Sequence, residues 1–195
     1  MKRLMISLAG LVVAFAAPSS RIEAQNVSFH FGGGLAMGAG DLNDGTESGW
    51  MGFAGLDMPI MSVPGLGIGA TASYAHIPYE GDADDATNIP ALLVELSYLI
   101  GAASPSPLKF YVRGGGGVLQ HRYDAGNSNI DEESETKAGF GAGAGILYAM
   151  RQVSPFAGVH FISGGSDTGY YSIYAGISIG GSGGSASAIR RLIRR

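Results

Sequence analysis

Residues Tyr170 to Gly180, YYSIYAGISIG, fall into two chemically distinct sets when every second one is taken. Tyr171, Ile173, Ala175, Ile177 and Ile179 form an oily set, and Tyr170, Ser172, Tyr174, Gly176, Ser178 and Gly180 form a small or polar one. Successive side chains of a β-strand point to opposite faces, so this stretch reads as a strand with one apolar face. Such a face has two destinations, a protein core or lipid. Lipid tolerates no unpaired strand edge, so strands that face it must close into a barrel.

The N-terminus favours export. Lys2 and Arg3 precede an apolar run from Leu4 to Ala17, and a polar stretch leads to Ile22-Glu23-Ala24. This order reads as a secretory signal, residues 1–24, cleaved before Gln25. Fourteen apolar residues fall short of the roughly 20 that a spanning helix needs. Beyond Ala24 no uninterrupted apolar run approaches that length, since Ile89 to Ile100 is broken by Glu95. Only strands are left to cross a membrane. The absence of cysteine excludes disulfides, thiolate metal sites and an acylated cysteine anchor. Thirty-three glycines without a G-X-Y period, in a chain with 46% hydrophobic residues, exclude collagen and argue against disorder.

The alternation recurs along the chain. Asn26 to Gly38 carries Val27, Phe29, Phe31, Leu35 and Met37 on one parity. Trp50 to Ile60 carries Trp50, Ala54, Leu56, Met58 and Ile60 on one parity and Met51, Phe53, Gly55 and Asp57 on the other. After the turn signal Ser62-Val63-Pro64-Gly65, a third strand runs from Leu66 to Tyr74. In the fourth, Leu92, Val94, Leu96, Tyr98 and Ile100 oppose Leu93, Glu95, Ser97 and Leu99. The fifth begins at Leu108 and runs to about Tyr123, the sixth holds Phe140 to Met150, the seventh spans Pro155 to Ser163, and Tyr170 to Gly180 is the eighth. The expected fold is therefore all-β: an eight-stranded antiparallel up-and-down transmembrane β-barrel over residues 25–181, followed by a Gly/Ser- and Arg-rich tail, 182–195.

Two regularities test that count. Connections alternate long and short, with 41–48, 78–88, 124–137 and 164–169 at one end and 61–65, 101–107 and 151–154 at the other. Transmembrane barrels have this asymmetry, with short periplasmic turns and longer outer loops. Beyond residue 24 the chain has fifteen acids against nine bases, a formal charge of −6. Thirteen of those acids fall in the long connections, leaving Asp57 and Glu95 in strands.

On signal, strand count, alternation and loop asymmetry, Asn26 to Gly180 resembles the small outer-membrane β-barrel family that includes the barrels of outer-membrane proteins A and X. The resemblance implies an outer-membrane location, contact with outer-membrane lipid and lipopolysaccharide, and delivery by the barrel assembly machinery. Such barrels commonly finish on an aromatic residue, whereas this chain continues through GGSGGSASAIRRLIRR.

Glu95 and Arg113 share the inward parity, and folding strands four and five about Ser104 places them directly opposite each other. Unlike charges so placed attract, and in a narrow barrel they would plug the lumen. The resemblance implies the same, since the outer-membrane protein A barrel has a charged core network. Asp57, Tyr111, Tyr174, His30 and His160 fall inward as possible extensions. Trp50, Tyr74, Tyr98, Tyr148 and Tyr171 fall outward near strand ends, as interface girdles do.

Catalysis is not expected. His160 with Ser163, and Ser73 with His76, are three residues apart and so on opposite faces. The glycine runs at 32–34, 114–117 and 141–145 precede no helical pattern, which favours close strand packing over a phosphate loop. Asp82, Asp84 and Asp85 fail as a calcium loop, because Thr87 and Leu93 stand where glycine and glutamate are needed. No metal, cofactor or nucleic acid is expected. The leading reading is a non-catalytic structural or surface-interaction protein with acidic outer loops. A narrow pore and a soluble periplasmic ligand-binding barrel of lipocalin type are the alternatives, the latter with Leu92, Val94, Ile173 and Ile177 turned inward.

Overall fold

The computed structural model describes residues 27–81, 85–124, 134–150, 152–165 and 169–180; the expected signal and tail lie outside them. Eight strands follow in chain order: β1 (Ser28–Ala39), β2 (Gly49–Pro59), β3 (Leu66–Pro78), β4 (Ala86–Ile100), β5 (Leu108–Asp124), β6 (Ser134–Tyr148), β7 (Val153–Ser163) and β8 (Gly169–Gly180). Each pairs antiparallel with the next, and β8 returns to β1 from Ser28↔Gly180 to Ala39↔Gly169. The fold is an eight-stranded up-and-down transmembrane β-barrel. Among the described residues no helix is long and apolar enough to cross a membrane.

The oily parity faces out. Val94 is 55% exposed and Ile173 54%, alongside exposed Phe29, Phe31, Leu35, Leu96, Phe110 and Val112. An apolar surface of that extent on a soluble protein would drive aggregation; around a closed barrel it is a lipid belt. The lipocalin-type alternative needed these residues inside and fails on that ground.

Several strands outrun the hydrophobic alternation. β3 continues past Tyr74 to Pro78, β4 starts at Ala86 inside the expected loop 78–88, and β6 starts at Ser134 inside the expected loop 124–137. As a result Glu135 lies within β6, so Asp57 and Glu95 are not the only strand acids. The ladder continues above the apolar belt, where outward positions turn polar and period-two hydrophobicity stops marking a strand.

At the other end the turns are tight. Leu66 N–H donates to Val63 O (3.1 Å), and Gly65 sits at φ +87° after Pro64. That is the positive φ a type II turn demands at its third residue.

An eight-stranded barrel is only wide enough to be filled by side chains, and β6 yields the space. Its inward positions Gly139, Gly141, Gly143 and Gly145 form a bare stripe on which neighbouring side chains lie. A Cβ at Gly139 would stand 2.7 Å from a Leu119 methyl, and one at Gly143 would stand 2.7 Å from the His160 ring. Gly145 lies under the Tyr111 hydroxyl in the same way.

The lumen has two parts. Towards the long loops, Met51, Ala75, Ile77, Ile89, Leu93, Leu119, Ile162 and Tyr170 pack into an apolar core. Towards the short turns lie the ionisable and aromatic side chains described next.

Candidate functional site

Six strands contribute to a charged network across the lumen. Glu95 on β4 is 1% exposed; its Oε2 lies 3.1 Å from Arg113 Nη2 on β5, and its Oε1 lies 3.1 Å from His160 Nε2 on β7. Asp57 on β2 meets His30 Nδ1 from β1 at 3.0 Å and Arg113 Nη2 at 3.9 Å. Thr71 on β3 links the halves, since Arg113 Nη2 donates to its hydroxyl (3.2 Å) and His30 Nε2 lies 3.3 Å from it. Arg113 thus spans two carboxylates, and each carboxylate also has a histidine ring nitrogen beside it.

At 3.1 Å and an effective dielectric near 20, the Glu95–Arg113 attraction is about 5 kcal/mol. Desolvating both ions costs a comparable amount, so the pair contributes less to net stability than to fixing which side chains meet. Once the charges are buried, however, neither partner can be removed cheaply.

Beside the network stands an aromatic cluster, with Phe53 and Phe156 in ring contact with His30. The hydroxyls of Tyr111 and Tyr174 are 2.9 Å apart. Tyr174 packs edge-on to Phe53 (5.2 Å) and Phe156 (6.1 Å), and Tyr111 packs edge-on to Phe156 (6.4 Å). Such geometry sets ring edges against ring faces. A cavity of about 10 Å³ remains beside Arg113, His160 and Leu93, room for one water and no larger ligand.

The structure brings Glu95, Arg113, His160 and Asp57 together directly, and sets Tyr111 and Tyr174 beside them. The expected register needs correction. Glu95 pairs with Gly115, and Arg113 pairs with Ser97. The turn therefore centres one residue later than Ser104, and the ions meet diagonally across a two-residue offset. The length of the arginine side chain spans that offset. Gly115 lets β5 run close against β4 at this point, because a Cβ there would collide with the β4 backbone.

Trp50, Tyr74 and Tyr171 lie outward towards the long loops, and Tyr98 and Tyr148 lie outward towards the short turns. The Ser/His candidates stay apart. Ser73 Oγ lies 3.3 Å from Tyr170 Oη, while His76 Nδ1 is 2.9 Å from Asn88 Oδ1. Ser163 donates to Gly165 O (2.9 Å), away from His160. Among the described residues no group of three or more His, Asp or Glu has metal-holding geometry; Asp82 and Asp84 lie outside them. Asp85 accepts from the Tyr123 hydroxyl (3.0 Å).

Sequence reasoning missed Thr71, which joins the two halves of the network, and the apolar core above it. The core did leave a signal. Between Ile89 and Val94 β4 is apolar on both parities, as a strand between lipid and a dry interior must be.

Comparison with solved structures returns barrels of this architecture. Neisserial surface protein A aligns over 79% of this chain and 96% of its own, at 17% identity and a TM-score of 0.63. Ail, the attachment invasion locus protein of Yersinia pestis, aligns over 78% and 97% at 14% identity and a TM-score of 0.52. The N-terminal barrel of Pseudomonas aeruginosa OprF aligns over 80% and 97% at 15% identity and a TM-score of 0.51. No protein-family model matches the chain, and the search of curated proteins gave no significant match. At these identities the likeness is one of fold.

Proposed function

We propose that the protein is a non-catalytic outer-membrane barrel that holds acidic loops at the cell surface on a lumen closed to solutes. The observation that carries this reading is the plug. Ile77, Ile89, Leu93, Leu119, Ile162 and Tyr170 are each no more than 2% exposed, and together they fill the lumen above the charged network. A conducting path needs continuous water, and here closely packed side chains fill the lumen, with the Ser73 and Tyr170 hydroxyls facing each other. Asp41, Asp44, Glu47 and Glu80 are exposed at the long-loop end, so the displayed surface suits a cationic partner. Ail, of similar fold, has been crystallised with a heparin analogue, sucrose octasulfate; a polyanion of that kind would be repelled here.

The test is planar-bilayer recording of the full-length folded protein, whose folding is verified by heat-modifiable gel migration. Silent bilayers are expected, and discrete conductance steps would overturn the reading in favour of a narrow pore.

A further inference from the structure

Outward residues of neighbouring strands lie in rows across the barrel wall, because paired residues share a face. One row, Ala72↔Leu92↔Val118↔Ala138, is wholly apolar. Four residues towards the long loops the same strands give Trp50↔His76↔Asn88↔Arg122↔Ser134. The wall turns from hydrocarbon-like to polar and cationic within that distance.

The Arg122 end of this row lies at the height of a lipid headgroup. From Leu108 to Val118, β5 rises about 33 Å at roughly 3.3 Å per residue, which a tilt of about 40–45° projects to about 25 Å, the height of the apolar band. Arg122 lies about 9 Å above Val118 by the same arithmetic, at the level of the polar interface.

Its chemistry suits an anion. Arg122 donates through Nε (2.9 Å) and Nη2 (2.5 Å) to Gln120 Oε1, which fixes the guanidinium plane against the wall and leaves other N–H groups of the fork for a ligand. Among the residues whose side chains are described, which leave out Asp124, no carboxylate lies within ion-pair distance of it, whereas Lys137 is 3.0 Å from Glu135. Asn88 Oδ1 accepts from the Tyr74 hydroxyl (2.7 Å) and faces His76 Nδ1, so the amide N–H groups are left as donors. Trp50 stacks on His76 (5.7 Å) and leans on Tyr74 (5.6 Å), giving an exposed aromatic flank.

We propose that this row binds the phosphate of a phosphorylated outer-leaflet lipid of the lipid A class, with the phosphate on Arg122 and Asn88 and the acyl chains along Ala72, Leu92, Val118 and Trp50. The inference rests on the outer-membrane reading and on the long loops facing outward. An arginine fork binds phosphate oxygens through two N–H groups at once, which a solvated surface lysine does not.

The experiment is native mass spectrometry of the detergent-solubilised full chain titrated with diphosphoryl lipid A, its phosphate-free counterpart and inorganic phosphate. Wild type is expected to retain diphosphoryl lipid A over the phosphate-free lipid by about tenfold or more, the worth of one charged hydrogen bond. Arg122→Gln should abolish that preference, Arg122→Lys should restore part of it, and Lys109→Gln at the far end should leave it unchanged. Equal retention of both lipids by wild type, an unchanged preference in Arg122→Gln, or competition by inorganic phosphate at concentrations comparable to the lipid would overturn the proposal. So would barrel destabilisation by both Arg122→Gln and Asp124→Asn with lipid binding intact, since Arg122 would then serve the chain itself. Membrane fractionation reports on location separately, so failure of the site and failure of the outer-membrane reading are distinguishable.

Discussion

The two halves of the lumen fill the same narrow tube with opposite chemistry. Near the long loops the filling is aliphatic, with Ile77, Ile89, Leu93, Leu119 and Ile162 held by close packing that has no preferred direction. Near the short turns it is ionic and aromatic, and Arg113, Glu95, Asp57, His30 and His160 each depend on a particular partner atom. The aliphatic half resembles the core of a water-soluble protein, where shape errors are graded in cost. The ionic half is closer to all-or-none, because a buried charge without its counter-ion has no cheap arrangement.

The largest effect is expected from Arg113→Met, which leaves two carboxylates facing each other across the tube. Urea unfolding in lipid vesicles should show a loss of about 3–5 kcal/mol. A loss under 1 kcal/mol would mean that the carboxylates reach water and that the two halves differ less than their chemistry implies. Leu93→Ala in the aliphatic half should cost about 2–5 kcal/mol by deleting methyl groups from a fully buried site. Glu95→Gln keeps the shape of the side chain and removes the charge, so a loss of about 1.5–3 kcal/mol and a lower melting temperature in detergent are expected. Unchanged melting would remove Glu95 from the account.

The smallest effect belongs to Lys109, whose ammonium donates to Gly101 O (2.6 Å) and Ser104 O (2.5 Å) and so ties down the turn between β4 and β5. Lys109→Met should cost about 1 kcal/mol in the same assay. It should add independently to Leu93→Ala, to within about 0.5 kcal/mol, because sites this far apart share no partners.

The two halves also differed in how legible they were in the sequence. Charges on the inward parity of otherwise apolar strands stand out, and so Glu95, Arg113 and Asp57 were visible as a group before any fold was known. Their pairing was not, because the β4–β5 register depends on which residue occupies the turn, and a shift of two leaves every side chain on its expected face. The aliphatic plug was harder to see, since an apolar residue facing the lumen looks like one more residue facing lipid. Strand ends were hidden for a related reason. Once β3, β4, β5 and β6 rise above the hydrocarbon, their outward residues, such as His76, Asn88 and Arg122, no longer contrast with the inward ones.

Closure through β1 and β8 has a consequence for how the molecule comes into being. The ring is joined by the first and last strands to be made, along all twelve residues of each. Until β8 has emerged, β1 carries an unmated edge that bilayer hydrocarbon cannot accommodate. No partial chain is then a smaller version of the finished object. Insertion must wait until β8 has been made, with something shielding that open seam in the meantime.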